Sequence, residues 1–539
     1  MIVHMRKLVL LAMNAKYVHS SLSVWVLRAG VEKFARKPHE VEVVEATIHQ
    51  NNDEITDLVA VHSPDVVGIS TYIWNAAKLP ELLKALRERL PGAVLVLGGP
   101  EAGCNPEYWL PRGADHVLRG EGERTLPSLL DSLSGGGPAT AESLPLSEPV
   151  DPYSETYFSA LNGRIAYLET SRGCPFRCAF CLSGGRSPSV GGDVRFFPPD
   201  TAKAWIYRLA QSGARTIKFV DRTFNCNPGR AYDLFEFVIG LDTDRCFHFE
   251  VAADLFDERT LSLLSKAPPG RIQLEAGLQS FYEPALRASS RQTDLEKAER
   301  NIRALMREQN IHIHVDLLAG LPYETLSDFQ AGFDRAYALG AHTLQLGFLK
   351  LLYGSRLRQQ ADALGICFSA EPPYEIKRSP WLSAEDLTIL KQTENALQRT
   401  YNKGRFLSVL EYLLRVSGLR PFTLFHTLGK FAPNHGTPLD VYAGQIFDCL
   451  TVIPGVDVDE LRERMVCDWL SMVGGKNMPP LLKTQDSRHR QLESAAQKLL
   501  GHGIKRHEAA VLPSGRGVFA DTAARNPVTG LYSLHFVEL

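Results

Sequence analysis

Through the first 133 residues, short apolar runs alternate with stretches of helical periodicity. The runs are KLVLLAM, VEVVEA, DVVGIS, AVLVLGG and HVLRG, and between them SLSVWVLRAGVEKFA, KLPELLKALRERL and ERTLPSLLDSL repeat apolar residues every three or four positions. Apolar runs of strand length separated by amphipathic helices predict parallel strands joined by crossovers. Five of them predict an α/β, flavodoxin-like or Rossmann-type sheet over 1–133, whose ligands lie beyond the carboxyl ends of the strands. Residues 134–152, rich in Gly, Pro, Ser and Ala, read as a linker. From Arg164 the rhythm resumes with RIAYLET, TIKFV, FHFEVA, RIQLEAG, HIHVDLLAG and TLQLGFL, separated by helical segments. Six units predict a partial (β/α)6 TIM barrel over 153–354, with functional residues at the carboxyl ends of its strands. Beyond residue 354 amphipathic helices dominate, which predicts a mainly α-helical domain over 355–539 with strands in the tail after Glu508.

A chain of 539 residues exceeds one core and suggests three or four domains. With 44% hydrophobic and 22% charged residues and a net charge of -2, it has ordinary globular composition and lacks the basic surplus of a nucleic-acid or membrane-surface protein. No segment reaches ~18 consecutive apolar residues, so no membrane span is expected. The apolar run near the amino terminus lacks a small-residue cleavage site and leads straight into a helix, so it reads as a buried first strand. Nine cysteines, three of them clustered, fit a reducing cytoplasm better than a disulfide scaffold.

The clustered cysteines, Cys174, Cys178 and Cys181, lie in ETSRGCPFRCAFCLSGG. Three thiolates on one short loop can hold a 4Fe-4S cluster and leave one iron open. Zinc takes four protein ligands as a rule, and no His or Cys follows at finger or ribbon spacing. The CxxxCxxC loop, with Phe180 before the third cysteine, resembles the signature of radical S-adenosylmethionine (SAM) enzymes. That resemblance implies SAM chelated at the open iron, and reductive cleavage to a 5′-deoxyadenosyl radical that abstracts hydrogen from an unactivated position.

The first domain resembles the cobalamin-binding domain that precedes the radical SAM core in one branch of the superfamily; PDVVGIST, LGGPEAG and RGEGE are the matching pieces. The resemblance places cobalamin on the strand-end loops, at Asn14 and Ala15, at Ser70, Thr71, Tyr72 and Trp74, at Gly98, Gly99, Pro100 and Glu101, and at Gly120, Glu121 and Gly122. These small residues serve equally to close strand-to-helix turns. Tyr72 and Trp74 are candidates for packing near the lower corrin face. YVHSSL replaces the DxHxxG motif of classical cobalamin domains, so His19 is expected to be structural and cobalt to lack a protein histidine.

In the barrel the resemblance implies SAM contacts from Asp221 after the second strand, Glu250 in the third, Glu275, Gln279 and Ser280 after the fourth, and Gly320 after the fifth. A strand-end Asp also serves to cap a helix, and Gly-Leu-Pro to make a turn. Arg222 stands where a second consecutive acid is usual, and Arg291 becomes a candidate for the SAM carboxylate. The last third resembles an uncharacterised carboxyl-terminal extension of cobalamin-binding radical SAM proteins, beginning near LLYGSRLR and EPPYEI, and is expected to cover the barrel mouth.

Taken together, the resemblances imply a cobalamin-dependent radical SAM methyltransferase. A carbon radical made by the 5′-deoxyadenosyl radical would collect methyl from methylcobalamin. The implied partners are a small-molecule or peptide substrate and a flavodoxin- or ferredoxin-type electron donor. Two alternatives stay open: a cyclase or rearrangement enzyme with the same cofactors, and a cobalamin-binding sensor with a structural cluster.

Overall fold

β1 (Lys7–Asn14) is buried at every position after Lys7, as expected of a central parallel strand covered on both faces. In this computed structural model, which describes residues 5–133, 148–183, 193–432, 436–483 and 488–539, β1 lies between β2 (Glu40–Thr47) and β3 (Val66–Ser70). β4 (Val94–Gly98) and β5 (His116–Val117) complete a parallel sheet of order β2-β1-β3-β4-β5. The linker reading at 134–152 lies, up to residue 147, outside the described residues.

Alternation along β1 splits the core. Val9, Leu11 and Met13 pack with Ile55, Val59, Leu82 and Leu86 from the helices on one face. Leu8, Leu10 and Ala12 pack with Val24, Val31, Leu126 and Leu130 on the other. That second core continues into the next unit, where Trp25 meets Tyr157 edge to face with centroids 5.6 Å apart. The first sheet and the barrel are therefore joined by packed side chains.

In the second unit, β6 (Ala166–Leu168) is followed by a short antiparallel pair, β7 (Ser171–Arg172) and β8 (Arg195–Phe196). β9 (Thr216–Phe219), β10 (Cys246–Val251), β11 (Ile272–Gln279), β12 (His312–Ala319) and β13 (Thr343–Phe348) join β6 in a six-stranded sheet of order β13-β12-β11-β10-β9-β6. Every pair is parallel, giving the open barrel that six strand-helix units predict. The outward residues Phe219 and Phe249 pack with Phe224, Phe235 and Phe256 under the helices. The alternate positions, Lys218, His248, Glu250, Glu275, His314 and Asp316, therefore face the lumen.

The last third does two different things. β14 (Cys367–Phe368) and β15 (Ile376–Arg378) lie at the barrel mouth, whereas the helices beyond Ser383 flank the open edge of the sheet. Asn402 accepts from Leu344 N and donates to Leu344 O, both at 2.9 Å. It thereby satisfies the free edge of β13. The antiparallel sheet β16 (Ala509–Val511), β17 (Gly517–Arg525) and β18 (Tyr532–Val537) follows. Between β17 and β18, the Val528 carbonyl contacts His312 Nδ1 at 2.7 Å. His312 begins β12, so this tail closes the amino-terminal end of the barrel. The expectation that the carboxyl-terminal region covers the mouth is thus corrected in part: its first stretch, through β15 and on to Trp381 against Tyr323, lies at that end, whereas the tail around Val528 lies at the other. The reason is topological, since β13 leaves the barrel at an exposed edge and the following helices cover that edge first.

Candidate active site

The cluster loop leaves β7 and is held at its middle by backbone bonds. Ala179 N donates to Ser289 O and Leu357 N to Ala179 O, both at 2.8 Å. Each cysteine sulfur meets a separate polar group. Cys174 Sγ lies 3.4 Å from Thr223 Oγ1, Ser183 N donates to Cys181 Sγ at 3.4 Å, and Arg291 Nη1 donates to Cys178 Sγ at 3.8 Å. Burial pushes the Cys178 thiol up, with Arg291 opposing and the other two thiols adding to the rise. Among the described residues no three His, Cys, Asp or Glu side chains gather as ligands of a single ion. Three thiols on one loop, each with a polar group beside its sulfur, fit the corners of an iron-sulfur cube. Phe180 packs half-buried against the core beside them.

Facing this loop are the carboxyl ends of the first sheet. Glu121 lies 3.2 Å from Arg172, two residues before Cys174, and Glu123 and Arg195 join the same network. Glu169 completes it at 2.8 Å from Arg172. Burial raises the Glu169 carboxyl while Arg172 pulls it down. His19 Nδ1 lies 2.6 Å from Tyr167 Oη on β6, so its ring is engaged across the junction. Tyr374 Oη donates to Glu101 Oε1 at 2.5 Å. These contacts place the loops of the first sheet over the barrel mouth.

The residues expected to hold cobalamin fall into two groups. Asn14 donates to His19 O and Glu45 Oε2, Ser70 Oγ meets Ser23 Oγ, and Thr71 Oγ1 donates to Gly98 O at 2.6 Å while accepting from Ala102 N. All three are buried, as is Glu101 at 4% exposure. Those four shape the loops from within. Gly99, at φ +101°, passes so close to Thr71 that a Cβ would lie 2.6 Å from the Thr71 carbonyl, which only glycine permits. Pro100 opens the short helix Pro100–Cys104 that follows.

The second group faces outward. Ala15, Gly98 and Gly122 are half-buried, and Gly99 and Gly120 are exposed. Tyr17, Val18 and Trp74 are exposed at 69%, 47% and 45% on the same edge. Trp74 stacks on Tyr72 at 4.2 Å and anchors through Nε1 to Met13 O at 3.1 Å. Flat exposed apolar surface beside bare backbone fits a large planar ligand such as a corrin.

Among the expected SAM contacts, three are engaged within the protein. Asp221 is fully buried, and its oxygens accept from Thr170 N, Thr170 Oγ1 and Ser171 Oγ. It pins the strand leading into the cysteine loop. Ser280 is 1% exposed and donates to Glu324 at 2.5 Å. Gly320, at φ +100°, would place a Cβ 3.1 Å from Ile376, so its turn is packed against β15. Arg291 faces Cys178 and Gly277 O, with its guanidinium 5.2 Å from the Phe176 ring centroid. Gln279, at φ +71°, sits at the irregularity between β11 and β12. Glu250 and Glu275 point into the lumen, where Lys218 Nζ lies 3.7 and 3.2 Å from them. His248, His314 and Asp316 share that lumen and were missed; the alternations HFE and HIHVD carry the signal.

Comparison with known proteins gives the same division. Residues 8–130 match the B12 binding domain, 168–336 the radical SAM superfamily, and 362–509 a protein of unknown function, DUF4080. A 2-(S-pantetheinyl)-carbapenam-3-carboxylate methyltransferase of Streptantibioticus cattleyicolor is 25% identical over 54% of this chain and 47% of its own. The chain thus spans about half the length of that relative. The solved structure of the cobalamin-dependent radical enzyme OxsB, with aqua-cobalamin and SAM, superposes with a TM-score of 0.59 at 15% identity, covering 94% of this chain and 82% of that one. The radical SAM methyltransferase TsrM from Kitasatospora setae superposes with a TM-score of 0.55 at 18% identity, covering 69% and 79%. At these identities the structures establish the fold. The cysteine loop on an open six-stranded barrel, beneath a B12-type sheet and followed by its own extension, makes this chain a member of the cobalamin-binding radical SAM superfamily, in a group that carries the DUF4080 region.

Proposed function

We propose that the protein is a cobalamin-dependent radical SAM enzyme that transfers a methyl group to an unactivated carbon of a small molecule or peptide. Cys174, Cys178 and Cys181 would hold the cluster, and the carboxyl edge of the first sheet the cobalamin. When bound, the cluster and SAM supply a hydrogen-abstracting radical and cobalamin supplies the methyl group. The residues of this chain do the placing. Asp221 fixes the strand before the cysteine loop, Thr223, Ser183 and Arg291 orient the sulfurs, and the Arg172 network holds the edge of the first sheet against the loop. In the proposed division, 1–133 carries cobalamin, 153–354 the cluster and SAM, and 355–539 braces the barrel.

The observation that carries the reading is the contact of both loops across one mouth. A radical must meet its methyl donor before it is quenched, so the two groups must share a cavity. The named methyltransferase among the relatives supports the chemistry. An electron donor of flavodoxin or ferredoxin type and a cytoplasmic setting complete the proposal; all nine cysteines are free thiols, and no helix among the described residues is long and apolar enough to cross a membrane.

The test is anaerobic reconstitution with iron, sulfide and cobalamin, then turnover with SAM, reductant and cell-extract fractions. Methyl transfer predicts 5′-deoxyadenosine and S-adenosylhomocysteine in equal amounts. Deoxyadenosine alone would favour the cyclase reading, and no SAM cleavage in any fraction would overturn the catalytic one.

A further inference from the structure

The cysteine loop has an outer side that the proposed chemistry leaves unassigned. Arg177 immediately precedes Cys178 and is exposed. Two other segments fold against the loop at Ala179, through Ala179 N to Ser289 O and Leu357 N to Ala179 O, and each brings an exposed arginine, Arg287 and Arg356. Arg356 Nη2 donates to the Arg177 carbonyl at 3.3 Å and to Ser290 Oγ. Ser290 N in turn donates to the Arg287 carbonyl at 3.0 Å, so the three arginines belong to one patch. Pro175, exposed, and Phe176, half-buried beside the Arg291 guanidinium, give the patch an apolar centre.

The charge of this patch is poorly compensated. Among the described residues neither Arg177 nor Arg356 has a carboxylate at ion-pair distance, and both guanidinium groups stand in solvent. Arg287 has one, Glu283 at 2.9 Å, with the two side chains 70% and 73% exposed, and a pair so open to water contributes little. Cations gathered without matching acids repel one another and gain when an acidic surface covers them. The position matters as much as the sign. A cluster on Cys174, Cys178 and Cys181 takes its electron from outside the chain, and at the mouth the first sheet already meets the segment before Cys174 through Glu121 and Arg172, 3.2 Å apart. On the arginine side a second protein can come within one residue of the Cys178 thiol.

We propose that Arg177, Arg287 and Arg356 form the docking face for an acidic one-electron carrier protein of flavodoxin type, and that the electron enters through the segment joining Arg177 to Cys178. This rests on the functional reading in taking the three cysteines as cluster ligands, and it adds where the partner sits. The carrier's reduced flavin loses one electron and the oxidised cluster gains it; no bond forms or breaks and no proton moves. Carboxylates of the carrier pair with the three guanidinium groups, and the apolar surface around its flavin covers Pro175 and Phe176, in the small and transient kind of interface that redox partners use.

The experiment uses the anaerobically reconstituted protein and a purified acidic flavodoxin. Calorimetry with oxidised flavodoxin should give a dissociation constant that weakens about tenfold or more between roughly 0.02 and 0.2 M salt, and about tenfold at the lower salt in Arg177→Glu/Arg356→Glu. Stopped-flow bleaching of the cluster by reduced flavodoxin should slow about tenfold in that variant, whereas bleaching by reduced methyl viologen, a small cation that needs no docking face, should not slow. Arg287→Glu, whose parent side chain pairs only with an exposed carboxylate, gives the same readouts should the double variant fail to fold. Salt-independent binding, equal affinity in variant and parent, or slowing with both donors would overturn the proposal. So would tighter binding of an oligonucleotide than of flavodoxin at the same salt, which would mark the patch as a nucleic-acid face. Protein that neither donor bleaches would lack the cluster and overturn the functional reading, while the binding constants still decide the docking face.

Discussion

Replacing Arg172 by alanine should loosen the first sheet from the barrel. Its guanidinium is 15% exposed and serves Glu123, Glu121 and Glu169, whose side chains are 6%, 16% and 26% exposed. Glu121 keeps Arg195, but Glu123 and Glu169 lose the cation that compensates their burial. Removing one partner of a buried ion pair costs about 3–5 kcal/mol, and the residual solvent access here argues for roughly the lower end. At roughly 2–4 °C per kcal/mol for a unit of this size, the first thermal transition should fall by roughly 6–12 °C. Arg172→Ala/Glu123→Gln should recover about half of that loss, because the orphaned charge is gone. The assay is differential scanning calorimetry of the four proteins of the double-mutant cycle. A fall under about 2 °C in Arg172→Ala, or strictly additive effects in the cycle, would refute the view that this network holds the two units together.

Three further outcomes follow from the same structure. Joint replacement of Cys174, Cys178 and Cys181 by alanine should abolish the iron-sulfur absorbance of anaerobically reconstituted protein while leaving far-ultraviolet circular dichroism unchanged; iron and sulfide analysis checks it. Glu324, buried beside Ser280, has its carboxyl raised to about 8. In the unfolded chain it ionises near the ordinary value of 4.5, so the native state holds the extra proton between these values and stability should fall as pH rises through that window. Glu324→Gln should flatten that slope, by up to about 1.4 kcal/mol per pH unit, in denaturant titrations at fixed pH. Gly99→Ala should cost about 2 kcal/mol or more, since strain at positive φ adds to the collision with Thr71, and should weaken cobalamin binding followed by its visible absorbance.

What the sequence disclosed was whatever depends on local pattern. The uninterrupted run KLVLLAM announced a strand buried on both faces, six strand-helix repeats announced an open barrel, and three cysteines on eight residues announced the cluster loop. What it concealed was the direction and company of single polar side chains. Asp221, Ser280 and Glu101 all stand at strand ends, where a ligand contact is the natural reading, yet their partners Thr170, Glu324 and Tyr374 come from elsewhere in the chain; Tyr374 is 273 positions from Glu101. Only packing brings such pairs together. The closure of the barrel bottom by the segment around Val528 was hidden for the same reason, since its contact with His312 spans 216 positions. The lumen charges were legible in principle: in HIHVD and HFE every second residue is polar, which on a parallel barrel strand means that the inner face is not an apolar plug.

The central claim is that a corrin on the first sheet and a cluster on Cys174, Cys178 and Cys181 face one cavity. Electron paramagnetic resonance of the anaerobically reconstituted, partly reduced protein tests this most directly, because cob(II)alamin and a reduced 4Fe-4S cluster both carry unpaired spin. The account predicts a spin-coupled spectrum that reverts to that of isolated cob(II)alamin when the three cysteines are replaced. A spectrum equal to the simple sum of two non-interacting centres would contradict it.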